Sequence, residues 1–115
     1  MPTADEFRRI ALALPEAEEG AHMGHPDFRV RRRIFATLWP DDGVGVVKTT
    51  REEMEALVDA RPGVYEGRPW GATSWLRIHL AEADAEEVAD LVAEAWCVVA
   101  PKRLVQAYAA ARGGG

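Results

Sequence analysis

Apolar side chains recur along the chain with two different periods. Near the N-terminus they return every three or four residues between Phe7 and Leu14. This is the spacing of one helix face, and it follows the capping-box pair Thr3 and Glu6. The same helical spacing recurs three more times. The predicted helices begin after Thr3, after Thr50, after Asp84 and at Pro101, and the stripe from Val88 to Val99 belongs to the longest of them.

Between the helices, apolar and polar residues alternate with a period of two, which is typical of half-buried β-strands. The alternation predicts strands over 28–31, 34–39, 44–48 and 74–80, with a brief one over 64–66. We interpret Glu16 to Gly20 as a turn-rich connection and Gly67 to Gly71 as a loop. The predicted core face of the sheet consists of Phe28, Val30, Ile34, Ala36, Leu38, Leu76, Ile78 and Leu80. The opposite face then carries Phe35, Thr37, Trp39, Trp75, Arg77 and His79.

The order of these elements is helix, strands, helix, strands, helix, helix, with hairpin-length turns between strands. This order implies an antiparallel sheet with helices packed on one face. At 115 residues the chain has the length of a single domain with one core. The predicted fold is therefore α+β, with one domain over 1–112 and a flexible glycine tail over 113–115.

Composition and charge narrow the function classes. The net charge is −5, so the overall field repels nucleic acid and anionic membranes, and any such binding must be local. The single cysteine, Cys97, cannot form an internal disulfide and falls in an apolar helical run. No apolar run of about 18 residues and no N-terminal apolar leader is present. We therefore expect a cytoplasmic monomer that does not bind membranes.

Residue types used in catalysis and metal binding do not fall into diagnostic spacings. His22, His25 and Asp27 are metal-ligand types, but in an extended segment His22 points away from the other two, so we interpret them as structural. Ser74 and Thr37 lack the motif of a nucleophile elbow. The sequence thus predicts no catalytic residue, no metal site and no cofactor.

Concentrated positive charge is confined to a predicted strand-to-strand turn that carries Arg29, Arg31, Arg32 and Arg33. One hypothesis is that the turn places guanidinium groups against phosphates, and the alternative is a solvated turn that aids solubility. Lys102 and Arg103 add two cations at the start of the last helix, where they oppose the helix dipole.

The chain resembles the MmcQ/YjbR family of small bacterial proteins over nearly its whole length. The resemblance rests on an N-terminal Ala-Leu-Ala-Leu-Pro motif, a His-Pro-Asp-Phe segment, the second predicted strand and an Ala-Pro-Lys-Arg-Leu motif near the C-terminus. The residues that carry it are Phe7, Ala11 to Pro15, His22, His25 to Phe28, Ile34 to Leu38, Lys48, Gly71, Trp75, Leu80, Ala95, Trp96 and Ala100 to Leu104.

This resemblance implies a fold similar to that of the bacterial frataxin homologue CyaY, with a layout of double-wing type, and a DNA-binding function. One departure is that many relatives carry lysines just before Trp75, where this chain has Ala72, Thr73 and Ser74. The alternative function is a protein-interaction or adaptor module that uses the exposed sheet face. Under either hypothesis the binding residues are Arg29, Arg31, Arg32, Arg33, Trp75, Arg77, His79, Lys102 and Arg103.

The tryptophans predicted to face away from the core allow two interpretations. In the first, a loop carrying Trp70 folds over Trp39 and Trp75 and completes a second small core. In the second, Trp39 and Trp75 form an exposed patch that binds a partner. The solvent exposure of the two side chains separates the interpretations.

Overall fold

The structure, a computed structural model, describes residues 2–70 and 73–113, and for residues 22, 68–70, 112 and 113 it describes the backbone alone. Within these residues the chain forms helices and an antiparallel sheet. The helices are α1 (Ala4–Leu12), α2 (Arg51–Ala60), α3 (Ala85–Val99) and α4 (Lys102–Gly113). The strands are β1 (Ala17–His22), β2 (His25–Val30), β3 (Arg33–Trp39), β4 (Val44–Thr50), β5 (Tyr65–Trp70) and β6 (Thr73–His79).

The helices begin where the capping residues predict. Thr3 Oγ1 accepts the N–H of Glu6 at 3.1 Å, and the Glu6 carboxylate accepts the N–H of Thr3 at 3.3 Å, which completes the capping box of α1. Thr50 and Asp84 cap α2 and α3, each accepting the N–H three residues further on. α4 follows directly after Pro101. Among the described residues, no helix has both the length and the apolar character needed to cross a membrane.

The strands pair antiparallel in the order β1-β2-β3-β4-β6-β5. Helices α1, α2 and α3 pack on the same face of this sheet. Two glycines make room for them, because a Cβ at Gly45 would clash with Phe7 of α1 and a Cβ at Gly67 would clash with Met54 of α2. The predicted α+β class, with helices on one face of an antiparallel sheet, is confirmed.

Helix α3 is the main cover of the sheet. The indole N–H of Trp96 donates to the carbonyl of Pro15 at 3.0 Å, which fixes α3 to the segment after α1. On the outer side, the ring of Tyr108 from α4 lies 5.1 Å from that of Trp96. The Tyr65 hydroxyl bonds to the Glu87 carboxylate and ties β5 to the first turn of α3. The buried stripe of α3 is the predicted one: Val88, Leu91, Val92, Ala95, Trp96 and Val99.

Two segments predicted as turn or loop are strands. Most of the predicted connection from Glu16 to Gly20 belongs to β1, and the predicted loop from Gly67 onward completes β5 as far as Trp70. Both are edge strands, whose conformation is decided by pairing with one neighbour rather than by an apolar alternation. Pro69 is tolerated in β5 because an edge strand can leave one N–H position unpaired. Four residues named in the sequence analysis lie outside the described residues. They are Gly71 of the predicted loop, Ala72 before Trp75, and Gly114 and Gly115 of the predicted tail.

A bulge in β3 changes which side chain enters the core. Phe28 pairs with Ala36 whereas Arg29 pairs with Ile34, so Phe35 is an extra residue on β3. As a result Phe35 is fully buried and Ile34 is only half-buried. The predictions that Ile34 faces the core and Phe35 the opposite side are wrong, because strict alternation assumes uninterrupted pairing. The other predicted core residues are buried: Phe28, Val30, Ala36, Leu38, Leu76, Ile78 and Leu80.

Candidate binding surface

The sheet face turned away from the helices is defined by cross-strand register. Asp27, Thr37, Val46, Arg77 and Glu66 follow one another across β2, β3, β4, β6 and β5. Their neighbours along each strand point into the core, so these five point away from it. We call this surface the open face. It also carries His25, Arg29, Trp39, Lys48, Trp75 and His79.

Trp39 is the centre of the open face. The His25 ring, on β2, stacks on it at 3.6 Å between centroids, and the Arg77 guanidinium, on β6, lies 5.9 Å from the ring centroid. Arg77 in turn bonds to Glu66 at 3.2 Å, and the same carboxylate lies 3.4 Å from His79. Trp39 is therefore half-buried between an imidazole and a cation. A shallow hollow of about 360 Å³ beside it is lined by Thr37, Trp39, Val46 and Arg77.

Trp75 is the second aromatic residue of the open face. Its ring is half-buried, and the ammonium of Lys48 lies 5.8 Å from the ring centroid. The segment predicted to fold over the two tryptophans instead continues β5 along the edge of the sheet, and the side chain of Trp70 lies outside the described residues. Trp39 and Trp75 are thus shielded on their flanks by polar neighbours and keep part of each ring accessible.

Arg29 is held by a carboxylate rather than free to bind a ligand. Asp27 is fully buried, and Arg29 donates to its two oxygens at 2.7 and 2.9 Å. This charged pair raises the pKa of Arg29 through the hydrogen bond and the Asp27 charge. Gly20 on the neighbouring strand β1 leaves room for the Asp27 carboxylate, since a Cβ at Gly20 would lie 2.9 Å from Asp27 Oδ1. The pairing can be read from the sequence, because residues two apart on a strand share a face.

The β2–β3 turn divides the arginine cluster. Arg31 and Arg32 form its two central residues, both with positive φ (52° and 70°), as a tight two-residue hairpin requires. Arg31 donates to both oxygens of Glu16 at 2.6 and 3.2 Å, which lowers the pKa of Glu16. Arg32 and Arg33 are exposed and have no ion pair among the described side chains. Two of the four predicted arginines are therefore paired and two are available.

Two predicted binding residues lie apart from the open face. Lys102 and Arg103 are exposed in the first turn of α4, which packs on α3 on the helical side. Trp75, Arg77 and His79 lie together on β6, and Arg29 joins them on the same face. Residues that the predicted binding site lacked are Asp27, Lys48, Glu66 and His25, whereas Trp39 belongs to the predicted aromatic patch.

Two of the three candidate metal ligands have structural partners. Of the candidate metal ligands, Asp27 binds Arg29 and His25 stacks on Trp39, while the side chain of His22 lies outside the described residues. In the part of the chain that the structure describes, no three His, Cys, Asp or Glu side chains are grouped to hold a metal ion. Cys97 is half-buried, and burial raises the pKa of its thiol.

Comparison with known proteins places the chain in a family. The family model YjbR matches residues 12–98, about three quarters of the chain. The chain belongs to the YjbR family. Uncharacterized proteins of Mycobacterium tuberculosis and Mycobacterium bovis are 32% identical to it over 133 aligned positions, which cover 98% of this chain and 100% of theirs. The predicted family resemblance is confirmed.

A crystal structure of a Deinococcus radiodurans protein with a DUF419 domain has the same fold as this YjbR chain. The TM-score is 0.74 at 21% identity, covering 86% of this chain and 79% of that one. The span matched by the family model contains the open face and the β2–β3 turn and ends before Lys102 and Arg103. The likeness to CyaY stays a prediction.

Proposed function

We propose that this YjbR domain is a non-catalytic nucleic-acid-binding domain that uses the open face and the adjoining β2–β3 turn. The observation that carries the proposal is the pairing of two accessible tryptophans, each with a cation, on a sheet face that the described helices leave uncovered. Trp39 lies beside Arg77 and Trp75 beside Lys48. Aromatic rings on such a face can stack bases while neighbouring cations follow the phosphates.

The distribution of charge supports this choice of surface. Helices α2 and α3 each carry four carboxylates, and together they carry one cation, Arg51. Their side of the molecule repels a polyanion. On the open face, by contrast, Asp27 and Glu66 are each bonded to an arginine, so these two charges are balanced locally. The exposed carboxylate of Glu18 on β1 lies beside Arg29 in register. A nucleic acid is therefore steered toward the open face and the turn.

Binding through this surface is expected to be weak and strongly salt-dependent. Among the described side chains of this surface, the cations without a carboxylate partner are Arg32 and Arg33 at the turn and Lys48 on the open face. If about three phosphates are neutralised, raising the salt from about 50 to 200 mM lowers the affinity roughly 20- to 40-fold. Sequence preference should be low, because the face offers stacking rather than a helix for the major groove.

Fluorescence anisotropy with labelled single-stranded and duplex DNA across a salt series tests the proposal. Reversing the charges of Arg32 and Arg33 to glutamate should abolish binding at about 50 mM salt, since phosphate contacts supply non-specific affinity. The matched control reverses Lys102 and Arg103, which gives the same net charge on the helical side. Equal losses in both variants, or no binding by the unaltered protein at low salt, would contradict the proposal.

A second candidate function, docking of another protein on the open face, is favoured by one observation. Arg29, Arg31 and Arg77 are each neutralised by a carboxylate, which leaves a face of aromatic and paired polar groups that resembles a protein interface. Under this alternative, the unaltered protein should capture a specific partner protein in a pull-down, and the Trp75→Ala variant should not. Added DNA should not compete with that partner.

A further inference from the structure

A groove lies between helix α2 and the edge strand β5, on the helical side of the sheet and away from the open face. Its volume is about 460 Å³. Met54 and Val58, four residues apart on one helix face, form its apolar wall together with Pro62, and Gly67 of β5 forms the other wall. Glu55 and Asp59 form the acidic rim. A helix and an edge strand thus frame a cleft that is apolar inside and negative at its rim.

The backbone of β5 has unpaired groups at this cleft. His79 N–H donates to the carbonyl of Val64 at 2.8 Å, so the even-numbered residues of this strand bond to β6. At the odd-numbered positions, Tyr65, Gly67 and Pro69, the backbone groups point away from β6, toward the open edge of the sheet. Tyr65 N–H is used by the carbonyl of Arg61 at 3.1 Å, and Pro69 has no N–H. Gly67 is therefore the residue whose N–H and carbonyl both face outward and lack a strand partner among the described residues.

Gly67 also keeps the cleft open. A Cβ at this position would lie 2.5 Å from the sulfur of Met54, so any larger residue would push into the apolar wall. The residue is exposed, with its backbone accessible from the cleft. An extended chain laid along β5 can exchange hydrogen bonds with Gly67 and place alternate side chains between the strand and α2.

The acidic rim indicates the charge of the occupant. Asp59 has no ion pair among the described residues, and it lies in the last turn of α2, which contains no basic residue. A carboxylate there is repelled by the negative C-terminal end of the helix dipole. A nearby cation therefore offsets this repulsion and also pairs with the charge of Asp59. Glu55 is bonded to Arg51 at 3.0 Å, but both side chains are exposed and free to exchange partners.

We infer that the groove between α2 and β5 binds an extended peptide segment of a partner protein that adds to the edge of β5. The peptide places an apolar side chain against Met54, Val58 and Pro62. A lysine or arginine two residues away, on the same side of the added strand, meets Asp59. This site is separate from the nucleic-acid surface and does not depend on it.

The test uses the full chain and a panel of labelled octapeptides rich in threonine and valine. Each peptide carries one leucine and one lysine at varied spacing. NMR titration should shift the amide signals of Gly67, Val58 and Asp59, and the Gly67 N–H should become protected from hydrogen exchange. The peptides with a two-residue spacing should bind best. Replacing the peptide lysine by glutamate should weaken binding about fivefold or more.

Two variants separate a specific site from general charge attraction. Asp59→Lys should weaken binding of the lysine peptide by about fivefold and improve binding of the glutamate peptide. Glu52→Lys makes the same change in net charge on the same helix outside the groove, and it should alter affinity less than twofold. Equal effects of the two variants overturn the proposal, as does the absence of Gly67 shifts with the whole panel at millimolar concentration. Concentration-dependent pairing of β5 with a second copy, seen by sedimentation, would also overturn it.

Discussion

The two faces of the sheet are built from the same strands, yet they are held together by different interactions. On the helical face, apolar side chains such as Phe35 and Leu76 pack against α3 in a contiguous core. On the open face, aromatic and charged side chains from neighbouring strands pair one with another, as His25 does with Trp39 and Asp27 with Arg29. Apolar packing tolerates many sequences, whereas the pairs require particular residues at particular registers.

The largest expected effect comes from the bulge that exchanges two neighbouring side chains between these faces. Phe35→Ala should lower the free energy of unfolding by about 3–5 kcal/mol, because it leaves a cavity in a fully buried site. Ile34→Ala is the matched control and should cost less than half as much, since Ile34 is half-buried. Urea unfolding measures both. The reverse order would show that β3 keeps the strict alternation and has no bulge at this point.

The next effect concerns the buried carboxylate of the open face. Asp27→Asn should destabilise the protein by about 1.5–3 kcal/mol, because Arg29 loses the carboxylate charge and one of its two acceptor oxygens. Glu18→Gln is the control, since Glu18 lies beside Arg29 in register and is exposed. It should change stability little. Equal stability of the two variants in urea would mean that the Asp27–Arg29 pair contributes nothing to the open face.

Acidity on the helical side predicts a dependence of stability on pH. Desolvation of the Glu94 carboxyl on α3, followed by hydrogen bonding to Glu53 of α2 and the charges of Glu53 and Asp90, raises the pKa of Glu94 to about 7. The folded state therefore binds more protons than the unfolded state between pH 4.5 and about 7. Stability should fall as the pH rises through this window.

Glu94→Gln should remove most of this pH dependence, because its amide stays neutral. The urea midpoint of the variant at pH 8 should exceed that of the unaltered protein, and the two should converge near pH 5. Glu86→Gln, on an exposed part of the same helix, is the matched control. A midpoint that rises with pH in the unaltered protein would show that Glu94 ionises normally in the folded state.

The smallest effect on stability should accompany a large effect on binding. Trp75→Ala should cost about 1 kcal/mol of stability, since the ring is half-buried and its cation partner is exposed to solvent on one side. The affinity for single-stranded DNA should fall at least about fivefold, because the variant loses the stacking of one base on the indole ring. Trp75→Phe should retain part of that affinity. A large loss of stability with unchanged binding would make Trp75 a core residue.

The fold could largely be predicted from the sequence because periodicity reports burial. The stripe from Val88 to Val99 and the strand around Leu76 have one buried side, and their patterns show it. The edge strand β1 and the bulge at Phe35 could not be predicted, since both are set by pairing with β2. The site was predicted in part for the same reason. Trp39, Trp75 and Arg77 followed from alternation, whereas the contribution of Lys48 and Glu66 depends on strand order.

The most direct test of the open face as the binding surface is an NMR titration of the indole N–H signals with single-stranded DNA. Trp39 and Trp75 lie half-buried on that face, while Trp96 is fully buried and bonded to Pro15. We expect the signals of Trp39 and Trp75 to shift together with the amides of Arg32 and Arg33, and the signal of Trp96 to stay unchanged. Shifts confined to α3 and α4, with the indole signals of Trp39 and Trp75 unchanged, would contradict this expectation.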